Sequence, residues 1–457
     1  MATSSTGNKL PNINGLQDAK PRHSLGYRVQ HHVRTAVAAA IAATLVFVGT
    51  AAAATWMDVN GIIKNNSVGV IGQGSLNTDA SIIDPNSGKP IEFVLIGQDS
   101  RDGAENQAIG GSFDDVIGNH QADTAMIVQI SIPRDSLVDV PQCETSKGTI
   151  PAQYNVMFNS IFAGAYKTGG DLSSAASCTL NAVNSLTGLN IQNFIVVDFA
   201  GLVKMIDSVG GVDLCIPQNV NDPYTGLNLD KGMHHLDGVA ATQYARIRHG
   251  IGDGSDTSRT TRQQYLIKQL MSEALSKNLF TDTAQLYQLA KSALKSLNIS
   301  QGMADTAALA GLAMSLKNFT MTNLQTQTVP VVPAPSDPNR SVWTDEADNL
   351  WEKMRAGKPI FDTADSNSGD SSDTSSDNSA SSDDSGTTDS NQSDTTAETP
   401  DPVTGLITKS DGTLVDPSTG GTVDPDDGSI HDATTGQYIG LADRYLNATV
   451  CAVPAKN

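Results

Sequence analysis

Short apolar runs alternate with amphipathic segments through the middle of the chain, and this alternation limits the folds that it can adopt. Such runs are typical of strands buried on both faces, and they occupy residues 91–99, 124–131 and 194–199. Helical spacing predicts helices, several with glycine stops, over residues 159–170, 174–188, 200–211, 258–277, 283–297 and 303–317. Together with a strand at 212–216 and an extended segment at 328–335, this order predicts an α/β fold. We expect a mixed central β-sheet covered by helices on both sides, in three layers.

The N-terminal region predicts a membrane anchor. Residues 35–57 carry no charged side chain, and a helix of that length crosses a ~30 Å hydrocarbon core at ~1.5 Å per residue. Basic residues predominate in residues 1–34, which the positive-inside rule assigns to the cytoplasm, with the rest of the chain outside the cell membrane. A cleaved signal peptide is the alternative, since Ala51–Ala54 offers small residues for cleavage. The long leader favours an uncleaved single-pass anchor.

Composition sets the remaining boundaries. Residues 58–87 are rich in Gly, Asn and Ser and predict an extracytoplasmic tether, and residues 88–360 hold the patterned domain. Residues 361–400 predict a disordered linker; within it, residues 362–398 contain ten Asp or Glu and no Lys or Arg, half of the net charge of −20. Residues 401–457 form a turn-rich tail, without the complete Glu-terminated loop that calcium would require. Because no general basic surface exists, a nucleic-acid partner is excluded.

The four cysteines fit an oxidising exterior. Their spacing matches no zinc motif, so structural disulfides are expected, although four cysteines allow three pairings. We favour Cys143–Cys178, both in the loop-rich stretch after residues 131–136. Elimination then leaves Cys215–Cys451, which would tie the tail to the domain.

The stretch "ARIRHGIGDGSDTSRTTRQQ" (245–264) concentrates four arginines. Arg246 and Arg248 lie two apart on a predicted strand and so point to one side. The following helix carries further polar residues on neighbouring positions, namely Asp256, Arg259, Arg262 and Gln263. Guanidinium forks suit phosphate oxygens, although such clusters also occur as surface ion pairs. Asp99 and Asp123, at adjacent strand ends, fit the carboxylate share of a Mg²⁺ site, or are ordinary strand caps.

Several motifs in this order resemble the LytR–CpsA–Psr family of cell-wall ligases over about residues 90–345. They include "GQDSR", "ADT", "SIPRD", "FNSIFAGAYKTGG", "VDFAGLVKMIDSVGGVDLC" and "YARIR". The placement of Cys143 and Cys178 resembles actinobacterial members. The resemblance implies a phosphotransferase that moves an anionic glycopolymer from a polyprenyl-pyrophosphate carrier to peptidoglycan through a phosphodiester, at the outer face of the membrane.

The resemblance also implies roles for single residues. Asp99 and Asp123 would bind Mg²⁺, with Mn²⁺ as the alternative ion, and Asp256 would orient the arginines or assist proton transfer. The pyrophosphate would be clamped by Arg134, Arg246, Arg248, Arg259 and Gln263. Further candidate substrate contacts are Arg101, Asn159 and Arg262. The polyprenyl chain would lie in an apolar groove lined by residues 158–162 and 199–206, whose simpler interpretation is core.

Two departures from the family pattern stand out. The family usually has arginine two positions before the second aspartate, where this chain has Gln121, preceded by His120. The family also has a hairpin that returns the "PRD" arginine to the aspartates, whereas "ADTAMIVQISIPRDS" reads as one strand. Extended at ~3.3 Å per residue, that strand would carry Arg134 some 33 Å away. Either the chain bends sharply near residues 130–134, or Arg134 leaves the site, or the protein is impaired.

These departures keep two alternatives open. One is a pyrophosphatase that hydrolyses the same lipid, with water as the acceptor. The other is a non-catalytic wall protein that holds polyprenyl phosphates in a degraded site.

Overall fold

The computed structural model describes residues 53–74, 76, 92–100, 105–106, 109, 120–127, 130–247, 251, 256–277, 283–315, 326–358, 360, 399–434, 436 and 438–452. Residues 35–52 of the predicted anchor, residues 361–398 of the predicted linker, Arg101 and Arg248 lie outside these ranges, and the expectations about them stay predictions. Within the described ranges, no helix combines the length and apolar character needed to span a bilayer. Residues 53–65 are helical (α1).

A seven-stranded mixed sheet forms the centre of the domain, in the order β1-β14-β9-β2-β3-β4-β15. Neighbours pair in parallel at β1/β14, β9/β2 and β4/β15 and antiparallel elsewhere. The domain's strands are β1 (Ser67–Val68), β2 (Val94–Asp99), β3 (Gln121–Ile127), β4 (Ile130–Ile132), β5 (Leu137–Val140), β6 (Cys143–Thr145), β7 (Gly148–Ile150), β8 (Gln153–Met157), β9 (Phe194–Asp198), β10 (Val212–Ile216), β11 (Val220–Asp222), β12 (Leu227–Leu229), β13 (Gly232–Leu236), β14 (Leu297–Ser300), β15 (Gln327–Thr328), β16 (Val331–Ala334) and β17 (Asp337–Trp343).

The predicted mixed α/β fold is confirmed, and the predicted helices are present with shifts of a few residues. The helices are α2 (Phe158–Gly169), α3 (Leu172–Thr187), α4 (Phe199–Ser208), α5 (Gly238–Arg246), α6 (Asp256–Ser276), α7 (Thr283–Ser296), α8 (Thr306–Ser315) and α9 (Asp345–Arg355). The strand predicted at "YARIR" is wrong, because Arg246 ends α5. Asp237 caps the start of that helix, since its side chain accepts a hydrogen bond from the Ala240 N–H at 2.8 Å. This cap and the following alanines favour a helix over the β-propensity of Tyr244 and Ile247.

Strands β2 and β9 are fully buried on one face only. In β2, buried and half-buried residues alternate from Val94 to Asp99, and β9 shows the same alternation. Val94, Ile96 and Val196 join the main core, which α2, α3 and α9 cover. The opposite face keeps Leu95 half-buried. The prediction of doubly buried strands is therefore wrong for β2 and β9, because a strand's apolar run does not reveal how completely each face is covered. It holds for the run at 124–131, where residues 125–127 and 130–131 are all buried.

The domain begins well before residue 88. Ile63, at the end of α1, is 1% exposed, and β1 adds a parallel strand to β14 through Ser67 and Val68. The Asn66 side chain donates to the Leu294 carbonyl at 2.6 Å. Part of the predicted tether is therefore an edge of the sheet, which its Gly-, Asn- and Ser-rich composition concealed.

Two disulfides form in the pairing that the sequence favoured. Cys143 is bonded to Cys178 and Cys215 to Cys451. The first joins β6 to α3 beneath the main core. The second joins β10 to the C-terminal tail, across 236 residues of sequence.

The tail (residues 399–452) folds into a β-meander of five short antiparallel strands. They are β18 (Ile407–Thr408), β19 (Leu414–Val415), β20 (Thr422–Val423), β21 (Ser429–His431) and β22 (Tyr438–Leu441). A short helical segment follows, Asp443–Tyr445 continued by a π-helical turn over Leu446–Val450. The turn signals of this region thus connect paired strands.

One turn recurs throughout this meander. In "DPVTG", "DPSTG", "DPDDG" and "DATTG", the glycine N–H donates to the carbonyl of the aspartate four residues earlier, at 2.7–2.9 Å. The aspartate side chain accepts from backbone N–H groups within the same turn. Each glycine has φ near +70 to +78°, a conformation that only glycine adopts without strain. The domain uses the same turn between β11 and β12, at residues 222–226.

Candidate functional site

A β-bulge presents Asp123 at the end of the sheet. Gly97 of β2 pairs with Thr124, but Gln98 pairs with Ala122, so Asp123 is an extra residue on β3. Bulges redirect a side chain and are common beside active sites. Asp99 pairs with Gln121 on the same two strands. The two predicted carboxylates therefore lie on adjacent strands, within two residues of each other in register.

A tight hairpin brings Arg134 to these carboxylates. Strands β3 and β4 pair antiparallel with only two residues between them, Ile127 opposite Ile130 and Ala125 opposite Ile132. The interpretation of one unbroken strand was therefore wrong. The chain reverses between Ile127 and Ile130 rather than bending near residues 130–134. Arg134 Nη1 donates to Asp123 Oδ1 at 2.7 Å, and the 33 Å displacement does not arise.

Asp256 joins this cluster from the start of α6. Its Oδ2 accepts the Arg134 backbone N–H at 3.0 Å, and its Oδ1 lies 3.4 Å from Arg134 Nε. The same Oδ1 is ion-paired with Arg259, one helical turn along α6. Asp135 adds a fourth contact, 3.6 Å from Arg134 Nε. Two arginines and three carboxylates thus form one charge cluster, named here the Arg134 cluster: Asp123, Arg134, Asp135, Asp256 and Arg259.

Burial and charge act in opposite directions within the Arg134 cluster. Burial alone would lower the pKa of Arg134, but Asp123, Asp135 and Asp256 together raise it, so the guanidinium stays charged. Burial raises the pKa of Asp256, while Arg259 and Arg134 oppose that rise. Arg259 is 3% exposed, and its Nε donates no hydrogen bond to any described residue. A buried guanidinium N–H of this kind calls for an oxygen partner, such as a water or an anion.

Gln263 connects α6 to the bulged strand. Thr124 Oγ1 donates to Gln263 Oε1 at 2.5 Å, and Gln263 Nε2 donates to the Ala245 carbonyl at 3.3 Å. Thr124 was not singled out from the sequence, although it belongs to the quoted "ADT" motif. The pair fixes α6 directly beside the carboxylates.

Arg246 lies at the C-terminal end of α5, next to the carbonyl that Gln263 contacts. Its guanidinium stacks over the Phe199 ring at 4.3 Å from the centroid, and its Nη1 donates to the Ile109 carbonyl at 2.8 Å. The expectation that Arg246 and Arg248 point to one side of a strand was wrong at Arg246, because that residue is helical. Phe199 thus contacts a candidate site residue, whereas the sequence analysis placed it only in a lipid groove.

Two candidate substrate contacts hold the site's framework together. Arg262 is 5% exposed, and its terminal nitrogens donate to Ser258 Oγ at 2.7 Å and to the Ile247 carbonyl at 2.6 Å. It therefore joins α6 to the end of α5. Asn159, near the start of α2, donates its backbone N–H to the Arg134 carbonyl at 3.0 Å.

His120, next to Gln121 at the family's usual arginine position, packs into the fold. Its Nδ1 is hydrogen-bonded to Gln98 Nε2 at 2.7 Å, and its ring stacks on Tyr166 with centroids 3.6 Å apart. Gln98 and Asp99 alternate along β2, so their side chains point to opposite faces of the sheet. His120 is therefore held by the residue that faces away from Asp99.

The residues 158–162 and 199–206 contribute mainly to the core. Phe158 and Phe162 are 1% and 0% exposed and belong to the main core. Ile206 is fully buried in a second core, under α5 and α6. The lipid groove expected from residues 158–162 is thus not present at those side chains.

Asp99 and Asp123 could supply only part of the ligands that a divalent ion needs. Among the described residues, no group of three or more His, Cys, Asp or Glu side chains is placed to hold a metal. Mg²⁺ usually takes one or two protein carboxylates and completes its shell with water and phosphate oxygens. Asp99 and Asp123, adjacent in the sheet, therefore fit the protein share of such a site.

The chain is similar to curated proteins of bacterial cell-wall biosynthesis. The cell wall biosynthesis protein LcpA of Corynebacterium glutamicum is 26% identical over 296 residues, 59% of this chain and 56% of its own length. The polyisoprenyl-teichoic acid–peptidoglycan teichoic acid transferase TagU of Oceanobacillus iheyensis is 28% identical over 199 residues, 44% of this chain and 56% of its own length. The chain thus spans little more than half the length of these curated relatives.

Among solved structures, the LytR-Csp2A-Psr enzyme from Actinomyces oris is 22% identical, with a TM-score of 0.41 over 64% of this chain and 97% of that chain. The model of the LytR_cpsA_psr family matches residues 61–356. This match begins within α1, ends just after α9 and includes the whole Arg134 cluster. Because it covers more than half of the chain, the chain belongs to the LytR_cpsA_psr family.

Proposed function

We propose that the protein is a membrane-anchored, Mg²⁺-dependent phosphotransferase that moves an anionic glycopolymer from a polyprenyl-pyrophosphate carrier to peptidoglycan. The observation that carries the proposal is the Arg134 cluster, in which residues from β3, the segment after β4 and α6 converge. Family membership and the names of the relatives, cell-wall biosynthesis protein and teichoic acid transferase, support it. We further propose that helices cover both sides of the central sheet, in three layers. The catalytic domain is proposed to lie outside the cell membrane.

The reaction needs one bond formed and one broken. An acceptor hydroxyl oxygen on peptidoglycan attacks the glycan-linked phosphorus, and the bond from that phosphorus to the bridging oxygen breaks. The products are a glycan–acceptor phosphodiester and polyprenyl phosphate. Charge neutralisation and positioning dominate phosphoryl transfer. The buried guanidinium of Arg259 and the partly buried guanidinium of Arg134 would supply both.

Residues outside the Arg134 cluster would complete the substrate site. Arg246, with its guanidinium on Phe199, and Gln263, held by Thr124, would bind the remaining diphosphate oxygens, and Arg101 and Arg248 are proposed to join them. Asp99 and Asp123 would hold Mg²⁺, which would neutralise diphosphate charge. The half-buried apolar face of β2 and β9, with Leu95, Ile195 and Val197, is the proposed surface for the polyprenyl chain.

The acceptor proton would go to Asp256. A general base works best with a pKa near the operating pH, and burial moves the pKa of Asp256 in that direction. Since Arg134 and Arg259 hold both of its oxygens, the same carboxylate also fixes the arginine geometry.

The degraded-site alternative loses one of its two grounds, because the β3–β4 hairpin is present. Gln121 remains as a departure from the family pattern. Analysis of the products separates the pyrophosphatase alternative, which would release glycan phosphate into solution without attachment to peptidoglycan.

The transfer assay uses a synthetic polyprenyl-pyrophosphate glycan and a peptidoglycan acceptor. Replacing Arg246 with alanine should lower transfer by about 10- to 100-fold, since one charged hydrogen bond to the diphosphate contributes about 1.5–3 kcal/mol. Arg248→Ala should give a loss of similar size. Unchanged ligation by both variants would exclude these arginines from the site.

The pH dependence of transfer tests Asp256. If its carboxylate must be deprotonated, transfer rises as pH increases through the raised pKa of Asp256 and is level above it. Asp256→Asn should remove this acidic limb and lower the plateau by about 100-fold. Transfer rates measured from about pH 4 to pH 8 test this role of Asp256. If the acidic limb persists in Asp256→Asn, another group is responsible for it.

A further inference from the structure

The tail packs directly against α6, the helix that carries Arg259 and Gln263. Tyr265 Oη donates to Asn447 Oδ1 at 2.6 Å, and Lys268 Nζ pairs with Asp443 Oδ2 at 2.5 Å. The Tyr438 side chain of β22 lies against Thr261. Leu446, 0% exposed, inserts into the second core beside Tyr265.

These contacts and the site use different faces of α6. Thr261, Tyr265 and Lys268 are spaced by four and three residues, so they form one stripe along the helix. Arg259 and Gln263 are four apart and form another stripe. At about 100° per residue, the two stripes point to nearly opposite sides. The tail therefore holds the back of the helix whose front forms the Arg134 cluster.

Tyr265 is the central contact of this interface. Its hydroxyl accepts the Cys215 backbone N–H at 3.0 Å while it donates to Asn447, and the side chain is 2% exposed. Burial raises its pKa, so the hydroxyl keeps the proton that it donates. Cys215 is also disulfide-bonded to Cys451 of the tail. One hydroxyl thus connects β10, α6 and the tail two residues from Gln263.

We infer that residues 399–452 position the proposed active site, and that Tyr265 is the positioning residue through which they fix α6. This inference rests on the proposed function for its substrate. A shift of about 1 Å in a substrate-binding group is enough to cost activity, and three side-chain contacts on one stripe restrict the rotation and translation of the helix. The tail thereby contributes to the geometry of the proposed active site, although the family match ends at residue 356.

The experiment compares amide hydrogen exchange over residues 256–264 and the Kd for geranyl pyrophosphate in the purified chain. Tyr265→Phe removes the shared hydroxyl, and Asn447→Ala removes its partner without altering the domain. Each should speed exchange in this segment and raise the Kd up to about tenfold, as expected for one or two lost hydrogen bonds. Circular dichroism confirms that each variant is folded at the assay temperature.

The matched control is Tyr445→Phe. The Tyr445 hydroxyl donates to the Pro425 carbonyl at 3.2 Å, within the tail itself. Its loss should leave both readouts at the wild-type value. Equal effects from Tyr445→Phe and Tyr265→Phe would overturn the inference, because they would indicate general weakening of the tail.

The two proposals fail in different ways. If the wild-type chain binds geranyl pyrophosphate but Asn447→Ala changes neither exchange nor Kd, the positioning role is wrong and the proposed function stands. If the wild-type chain binds no geranyl pyrophosphate, the proposed function is in doubt, and exchange over residues 256–264 still decides the positioning role. Should Tyr265→Phe fail to fold, Asn447→Ala carries the test alone.

Discussion

Replacing Arg134 with alanine is expected to lower glycopolymer transfer by about 10³-fold, within the range reported for removing a charge-stabilising group from a transfer site. The substitution removes the guanidinium that is proposed to contact the diphosphate. It also leaves Asp123 and Asp256 without the cation that lies between them, so their mutual repulsion disorders the remaining groups. Initial transfer rates at saturating acceptor measure the effect.

Two further variants separate the effect of charge from that of geometry and provide a control. Arg134→Lys keeps the positive charge but loses the forked donor geometry, and we expect an intermediate loss. Arg355→Ala, on α9, removes an arginine whose guanidinium bonds the Thr187 carbonyl away from the cluster, and transfer should persist. Wild-type transfer by Arg134→Ala would remove the Arg134 cluster from the mechanism.

Replacing Trp351 with alanine is expected to lower the free energy of unfolding by about 3–5 kcal/mol, as for other fully buried tryptophans. Trp351 is 1% exposed, and its ring lies 5.5 Å from that of Trp343. It anchors α9 on the main core, so its removal leaves a large cavity at the edge of the domain. Urea unfolding monitored by far-UV circular dichroism measures the change.

The control for Trp351 is Tyr154→Ala. Tyr154 is 74% exposed, so the loss of its ring should change the free energy of unfolding by less than about 0.5 kcal/mol. If Trp351→Ala lowered the free energy of unfolding no more than Tyr154→Ala does, α9 would not be an integral part of the domain's core.

The order of strands and helices was predictable because apolar spacing and glycine stops are local signals. The β3–β4 hairpin was not, since the two residues between the strands are Val128 and Gln129 rather than the Asn-Gly or Asp-Gly pair that marks such turns. The position of this hairpin depends on how β3 and β4 pair with the rest of the sheet, and no local sequence signal indicates that pairing. For the same reason the Asp123 bulge could not be foreseen.

Motifs supplied the candidate site residues, but not the different contacts that these residues make. Arg259 and Arg262 look equivalent in "SRTTRQQ", yet one joins Asp256 and the other bonds Ser258 and the Ile247 carbonyl. The two side chains are neighbours on one face of α6, so their different partners, and not their spacing, give them different roles. Thr124 became recognisable as a partner only when Gln263 was placed opposite it.

The repeated aspartate–glycine turn restricts how the tail can change in length. Asp416, Asp424 and Asp432 recur at eight-residue intervals, and each turn reverses the direction of the chain. Gaining or losing a single unit would send β22 the opposite way and carry Cys451 to the far end of the meander. One unit is an aspartate–glycine turn with the strand that follows it. Only pairs of such units can therefore be added or deleted during evolution if the last strand is to remain packed against α6.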